Sequence, residues 1–169
     1  PALHLFANGI SFDMSKPPLN DRRVRKAMSL ALNRDDYLLF RKAGSYQLSV
    51  LAGDLAPQTY WSYTEAELRT WPGIRQPHDQ DVAEANRLLD EVFGKGKRFN
   101  TTCITRNSQT YMDICLFFAD QMKQKLDIGV TMLPNEIAAL ATFTDVCNYD
   151  AQGGTTGSTT GDPDDRLVR

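Results

Sequence analysis

The run Gly153-Gly154-Thr155-Thr156-Gly157-Ser158-Thr159-Thr160-Gly161 concentrates backbone amides and hydroxyls in one short stretch. Glycines expose N–H groups, and Ser and Thr oxygens rotate to donate or accept hydrogen bonds. Such a run suits a polar solute rich in hydroxyls or bearing negative charge. It holds no carboxylate to meet an ammonium group, whose desolvation in a water-poor cleft costs on the order of several kcal/mol. No Lys follows the last glycine, so it is not a nucleotide-binding P-loop. Two readings stand: a flexible loop, or a rim that contacts solute through Gly154, Thr155, Thr156, Ser158, Thr159 and Thr160. Trp61, with Tyr60 and Trp71 nearby in sequence, either stacks on that solute or packs beneath a long loop.

Other chemistries find no support. Asp162-Pro163-Asp164-Asp165 lacks the Asp-x-Asp-x-Asp-Gly pattern of a calcium loop. It reads instead as an N-cap, a proline at the first helical position and two acids in the dipole-favoured first turn. Cys103, Cys115 and Cys147 show neither CxxC spacing nor histidines at zinc distances. An odd count leaves at least one thiol unpaired within the chain, and spacing alone leaves the pairing open. His4 and His78 are the only histidines and stand far apart in sequence, and no His-based triad can be picked out around either. Neither Gly-x-Ser-x-Gly nor His-Glu-x-x-His occurs, and Ser158 has no base beside it. The expectation is a binding protein without catalytic residues, metal or cofactor. A formal charge of −2 over 169 residues argues against a nucleic-acid surface. Arg22, Arg23, Arg25 and Lys26 read as one helix face whose charges oppose the dipole, so Asp21 or Asp35 is expected to pair with them.

These residues need elements to hold them. Residues 3–12 read as an extended segment, broken by Pro17-Pro18. Asn20 or Asp21 caps a helix whose apolar stripe is Val24, Ala27, Met28 and Ala31. Asn33 to Asp36 caps a second, carrying Tyr37, Leu38 and Phe40 and ending near Gly44. Residues 45–78 read as irregular, with a helical turn over Glu65–Trp71. A helix from Asp79 buries Val82, Ala85, Leu88, Leu89 and Val92 and ends at Gly94. Lys97–Thr105 is a strand, and Ser108 caps a long helix through Leu126. Ile128–Leu133 is the next strand, closed by Pro134. Asn135 caps a helix, and Tyr149–Gln152 is a short strand leading into the Gly/Thr run. Strands that alternate with helices predict an α/β domain with at least partly parallel pairing.

Three segments resemble the family 5 extracellular solute-binding proteins. The first runs Ser11-Phe12-Asp13, Pro17-Pro18-Leu19-Asn20-Asp21-Arg22-Arg23-Val24-Arg25-Lys26-Ala27 and Ala31-Leu32-Asn33-Arg34, with Asp13 where the family has Asn and Asn33 where it has Asp. The second is Asp79–Glu91, similar to an Asp-x-x-x-Ala-x-x-Leu-Leu helix, followed by a strand and a helix ending near Ile128-Gly129-Val130. The third is Gly161-Asp162-Pro163-Asp164. The resemblance implies a periplasmic-binding-protein-like lobe, with a mixed sheet flanked by helices. It makes residues 1–169 an incomplete third domain of a bilobed receptor, and makes Arg25 structural. It implies a small solute (peptide, sugar-containing or opine-like), an ABC permease and ATPase as partners, and a periplasmic or lipid-anchored extracellular location. A receptor of the same fold that signals is the alternative. In peptide-binding relatives the loop corresponding to the Gly/Thr run carries a Trp, then an Asp for the peptide amine. Thr155 or Thr156, and Ser158 or Thr159, stand in those places, so the resemblance implies a solute not gripped by a free N-terminus. For the chain itself the expectation is a monomer whose 153–169 tail is disordered or displaced.

Overall fold

Asp21 starts the first helix as the sequence predicts: its side chain accepts from the Arg23 N–H at 2.8 Å. Val24, Ala27, Met28 and Ala31 are all fully buried, so the 3.6-residue stripe is the core face. The computed structural model describes residues 5–43 and 62–158, with side chains described from 8 to 155 within that span. Trp61, Tyr60, Gly44, His4, Thr159, Thr160 and the Gly161-Asp162-Pro163-Asp164 step lie outside those residues.

The elements in chain order are β1 (Leu5–Phe12), α1 (Arg22–Ala31), α2 (Arg34–Ala43), α3 (Glu65–Leu68), α4 (Asp79–Phe93), β2 (Asn100–Arg106), α5 (Gln109–Leu126), β3 (Gly129–Asn135), α6 (Ile137–Asp145) and β4 (Ala151–Ser158). Two compact units are present. The larger comprises residues 8–32 and 79–154, and the smaller is built chiefly on 33–43 and 62–78.

In the larger unit the sheet order is β1-β4-β2-β3. β2 pairs in parallel with β3 from Asn100↔Gly129 to Arg106↔Asn135, and with β4 from Cys103↔Ala151 to Thr105↔Gly153. The Asp13 N–H donates to the Asp150 carbonyl at 3.0 Å, so the end of β1 meets the start of β4 and these neighbours run oppositely. The sheet is mixed, and the expected parallel β-α-β pairing is present twice. Asp150 fixes where β4 begins: one carboxylate oxygen accepts from the Thr102 N–H at 3.0 Å and its hydroxyl at 2.8 Å.

Helices α1, α4 and α5 pack together and α5 lies on β2 and β3. Phe118, Met122 and Leu126 of α5 meet Val24, Met28, Leu89, Cys103 and Ala151 in one apolar cluster. α6 contacts β2 and buries none of its residues. Right-handed crossovers that leave β2 toward β3 and then return past it to β4 set α5 and α6 on opposite faces.

The structure moves several boundaries. Pro134 does not close β3 but lies inside it, opposite Thr105. An edge strand tolerates a missing donor, and β3 is an edge. Glu136 rather than Asn135 is the N-cap of α6, and Ser108 caps α5 without a side-chain hydrogen bond. The Gly/Thr run is the largest change. Residues 153–158 continue β4 as strand, so this part is neither a loop nor a displaced tail.

The smaller unit is organised by charge. Asn33 Oδ1 accepts from the Asp35 N–H at 3.1 Å, which caps α2 as expected. Asp35 does not pair with the arginines of α1. Arg69 Nη1 donates to it at 2.5 Å and Gln76 Nε2 at 2.8 Å. The expected helix through Tyr37, Leu38 and Phe40 is present as α2; only Arg41 in it is buried, and Phe40 is exposed.

Candidate functional site

Strand order singles out one place in the larger unit. From β2 the chain crosses through α5 to β3 on one side, then through α6 to β4 on the other. The order therefore reverses beside β2. In open α/β sheets ligands bind outside the carboxyl ends of the strands at such a reversal. Here the end of β2 is Thr105-Arg106, and level with it in β4 stand Gly153-Gly154, paired at Thr105↔Gly153.

Arg106 is exposed at the last position of β2, and its guanidinium lies over the Tyr111 ring at 5.6 Å from the centroid. No carboxylate among the described residues forms an ion pair with it. Three other arginines, in α1 or after α4, are engaged. Arg23 pairs with Asp21 at 2.7 Å, as expected; Arg25 donates to the Leu19 and Asn20 carbonyls; Arg98 pairs with Asp90 at 2.8 Å. Arg25 is thus a strut for the turn before α1, in keeping with the structural role the resemblance implied. Lys26 reaches Glu84 of α4 at 3.9 Å.

Beneath Arg106, the buried Thr105 hydroxyl lies 3.1 Å from the Tyr111 carbonyl and 3.2 Å from the Gly153 carbonyl. One hydroxyl hydrogen is shared between a turn of α5 and β4. Beyond them, Asn107 is held by its N–H to the Asn135 carbonyl at 2.7 Å and by Nδ2 to Glu136 at 2.9 Å. The ends of β2 and β3 are therefore rigidly joined.

The two adjacent glycines of β4 differ. A Cβ at Gly153 would sit 2.5 Å from Cys115 Sγ, so no larger residue fits. A Cβ at Gly154 would meet nothing within 4 Å, so that face of the strand is open there. Strand alternation sends Gly153 and Gly154 to opposite faces. Gly154 and Thr155 are half-buried, and Thr156 and Ser158 lie in β4 with their side chains outside the description. Among the predicted site residues, only Gly154 and Thr155 thus have a described environment. Arg106 was missed by sequence reasoning. Its one local signal is a cation ending a β-branched strand, and that acquires meaning only from the strand order.

The cysteines are resolved. Cys103 and Cys115 form a disulfide across 12 positions, both fully buried, and Cys147 is a free, exposed thiol. No group of three His, Cys, Asp or Glu among the described residues is placed to hold a metal. No described helix is long and apolar enough to cross a membrane.

The fold recurs in solved structures. OppA of Burkholderia pseudomallei superposes with a TM-score of 0.77 at 17% identity, over 98% of this chain and 32% of that one. The periplasmic oligopeptide-binding protein OppAIV of Borrelia burgdorferi gives 0.75 at 20% identity, over 96% and 31%. Haemophilus influenzae OppA, solved with the peptide RPPGFSPFR, gives 0.71 at 18% identity, over 93% and 31%. The chain spans about a third of the length of these proteins, and identities this low establish fold alone. No curated protein matches the sequence. Residues 5–169 match the family described as Bacterial extracellular solute-binding proteins, family 5 Middle, and with a match over nearly its whole length this chain belongs to that family.

Proposed function

We propose that this chain is part of one lobe, an incomplete third domain, of the solute-binding component of an ABC importer, and that its solute is a peptide held by its carboxylate end. The observation that carries this reading is Arg106: an exposed guanidinium without an acidic partner among the described residues, at the carboxyl end of β2 where the strand order reverses. A planar guanidinium matches a carboxylate with two parallel hydrogen bonds. Gly154, where a Cβ would meet nothing within 4 Å, leaves room beside it for the solute. Thr155, Thr156, Ser158, Thr159, Thr160 and Trp61 are further solute contacts proposed from the sequence alone.

The Haemophilus relative bound to RPPGFSPFR favours a peptide over a sugar-containing or opine-like solute. The missing carboxylate in the 153–161 run then decides which end is gripped: the amine has no fixed partner there, and the carboxylate has Arg106. Binding and release suffice for this role, without bond-making chemistry. The partners are a permease and its ATPase, as the name of the Borrelia relative suggests. A buried disulfide suits a periplasmic or other oxidising location.

Calorimetry on the intact receptor tests this reading with trialanine, its C-terminal amide and its N-acetyl form. A charge-assisted hydrogen bond is worth about 1.5–3 kcal/mol, or roughly 10–100-fold. Amidation is expected to weaken binding by that factor, N-acetylation by about threefold at most, and Arg106→Gln to erase the penalty of amidation. A dominant effect of N-acetylation, with Arg106→Gln inert, overturns it.

A further inference from the structure

We propose that the Cys103–Cys115 disulfide is a positioning element of the solute site; the proposal rests on the reading of Arg106 and Gly154 given above. Three contacts lead to it. Cys103 lies in β2 opposite Ala151 of β4, and Cys115 lies in the second turn of α5, so the bond ties the central strand to the helix that follows it. Two positions along β4, Gly153 packs directly on the bond: a Cβ there would stand 2.5 Å from Cys115 Sγ and 3.6 Å from the Cys115 amide nitrogen. The Thr105 hydroxyl then joins the Tyr111 and Gly153 carbonyls on the same face.

The consequence is geometric. Tyr111 carries the Arg106 guanidinium, and Gly153 precedes the Gly154 amide. The disulfide is the common seat of both. It holds the first turns of α5, hence Tyr111, on one side, and the backbone of β4 on the other. Both sulfurs are fully buried in a close-packed interior, so removing them opens a space against β4. Removing the bond leaves β4 without its seat, and the distance between the arginine and Gly154 is no longer set.

A disulfide that served only stability would lower the melting temperature and leave affinity unchanged at temperatures where the protein is folded. The positioning role predicts more. In the intact receptor, Cys103→Ala with Cys115→Ala is expected to weaken trialanine about tenfold and its C-terminal amide about twofold at most, because the lost alignment concerns the carboxylate. Hydrogen exchange at the amides of residues 151–155 is expected to rise at least tenfold. A fall in melting temperature alone, with both peptide affinities and exchange within twofold of the parent, overturns the proposal.

Gly153→Ala supplies a test that needs no ligand. It should destabilise the parent receptor strongly and the double alanine variant much less, since the sulfur that the new methyl meets is gone. Equal effects in the two backgrounds overturn the proposed seat. If the parent binds none of the three peptides, the carboxylate reading fails by itself. Exchange and the Gly153→Ala comparison then still decide whether the disulfide seats β4.

Discussion

Asp35 accepts from Arg69 and Gln76 in the first turn of α2, and Arg69 also reaches Glu65 at 3.0 Å. The hydrogen bond from Arg69 is the chief reason its carboxyl titrates below the usual 3.8, with Gln76 adding to it. The folded state therefore holds its proton less tightly than the unfolded one. This contribution to stability is complete above about pH 4 and is lost as pH falls through the folded value. Asp35→Asn is expected to cost up to about 1 kcal/mol at pH 7, since the pair is partly exposed. The cost should shrink toward pH 3. Urea midpoints for parent and variant at the two pH values check this. Asp13 shows another use of a carboxylate: Oδ1 accepts from the Ser15 N–H at 2.9 Å and its hydroxyl at 2.7 Å, which turns the chain out of β1. Asp therefore serves as a turn former where the family has Asn.

The contrast between α5 and α6 belongs to the scale of elements. Both carry apolar residues, yet α5 sinks Phe118 and Met122 into the shared cluster while α6 leaves Ile137 56% exposed. Phe118→Ala is expected to cost about 3–5 kcal/mol, and Ile137→Ala about 0.5 kcal/mol or less. Denaturant titration of the two variants separates them, and a large effect at Ile137 would mean that α6 is buried in the assembled receptor. The disulfide adds to the hold of α5 on β2. A closed loop of this size contributes about 3 kcal/mol by restricting the unfolded chain. Arg98 does related work at the far ends of α4 and α5: Nε donates to the Leu126 carbonyl at 2.9 Å, where the helix dipole favours a cation, while Nη1 pairs with Asp90.

At the scale of the whole molecule, the chain covers about a third of the receptors it superposes on. On the function proposed above, a solute trapped between lobes gains from both walls, and a single lobe offers one. The isolated 169-residue polypeptide is therefore expected to bind trialanine at least tenfold more weakly than the intact receptor, on the order of 1.4 kcal/mol or more. Its α/β core should still unfold cooperatively, because the cluster of α1, α4, α5 and the sheet lies within one compact unit. Calorimetry and circular dichroism on the two proteins measure these outcomes.

The sequence by itself determined the helices, the parallel pairing and the family. Val24, Ala27, Met28 and Ala31, the caps at Asp21 and Asn33, and the stop at Gly94 act within a few residues of one another, so local pattern suffices to read them. Three features were settled only by tertiary structure. Which cysteines join depends on β2 and α5 folding back on each other. The strand character of Gly153 and Gly154 depends on β4 lying beside β2, with a sulfur where a side chain would be. The significance of Arg106 depends on strand order, which is decided by packing between segments some fifty residues apart, where no local periodicity reaches.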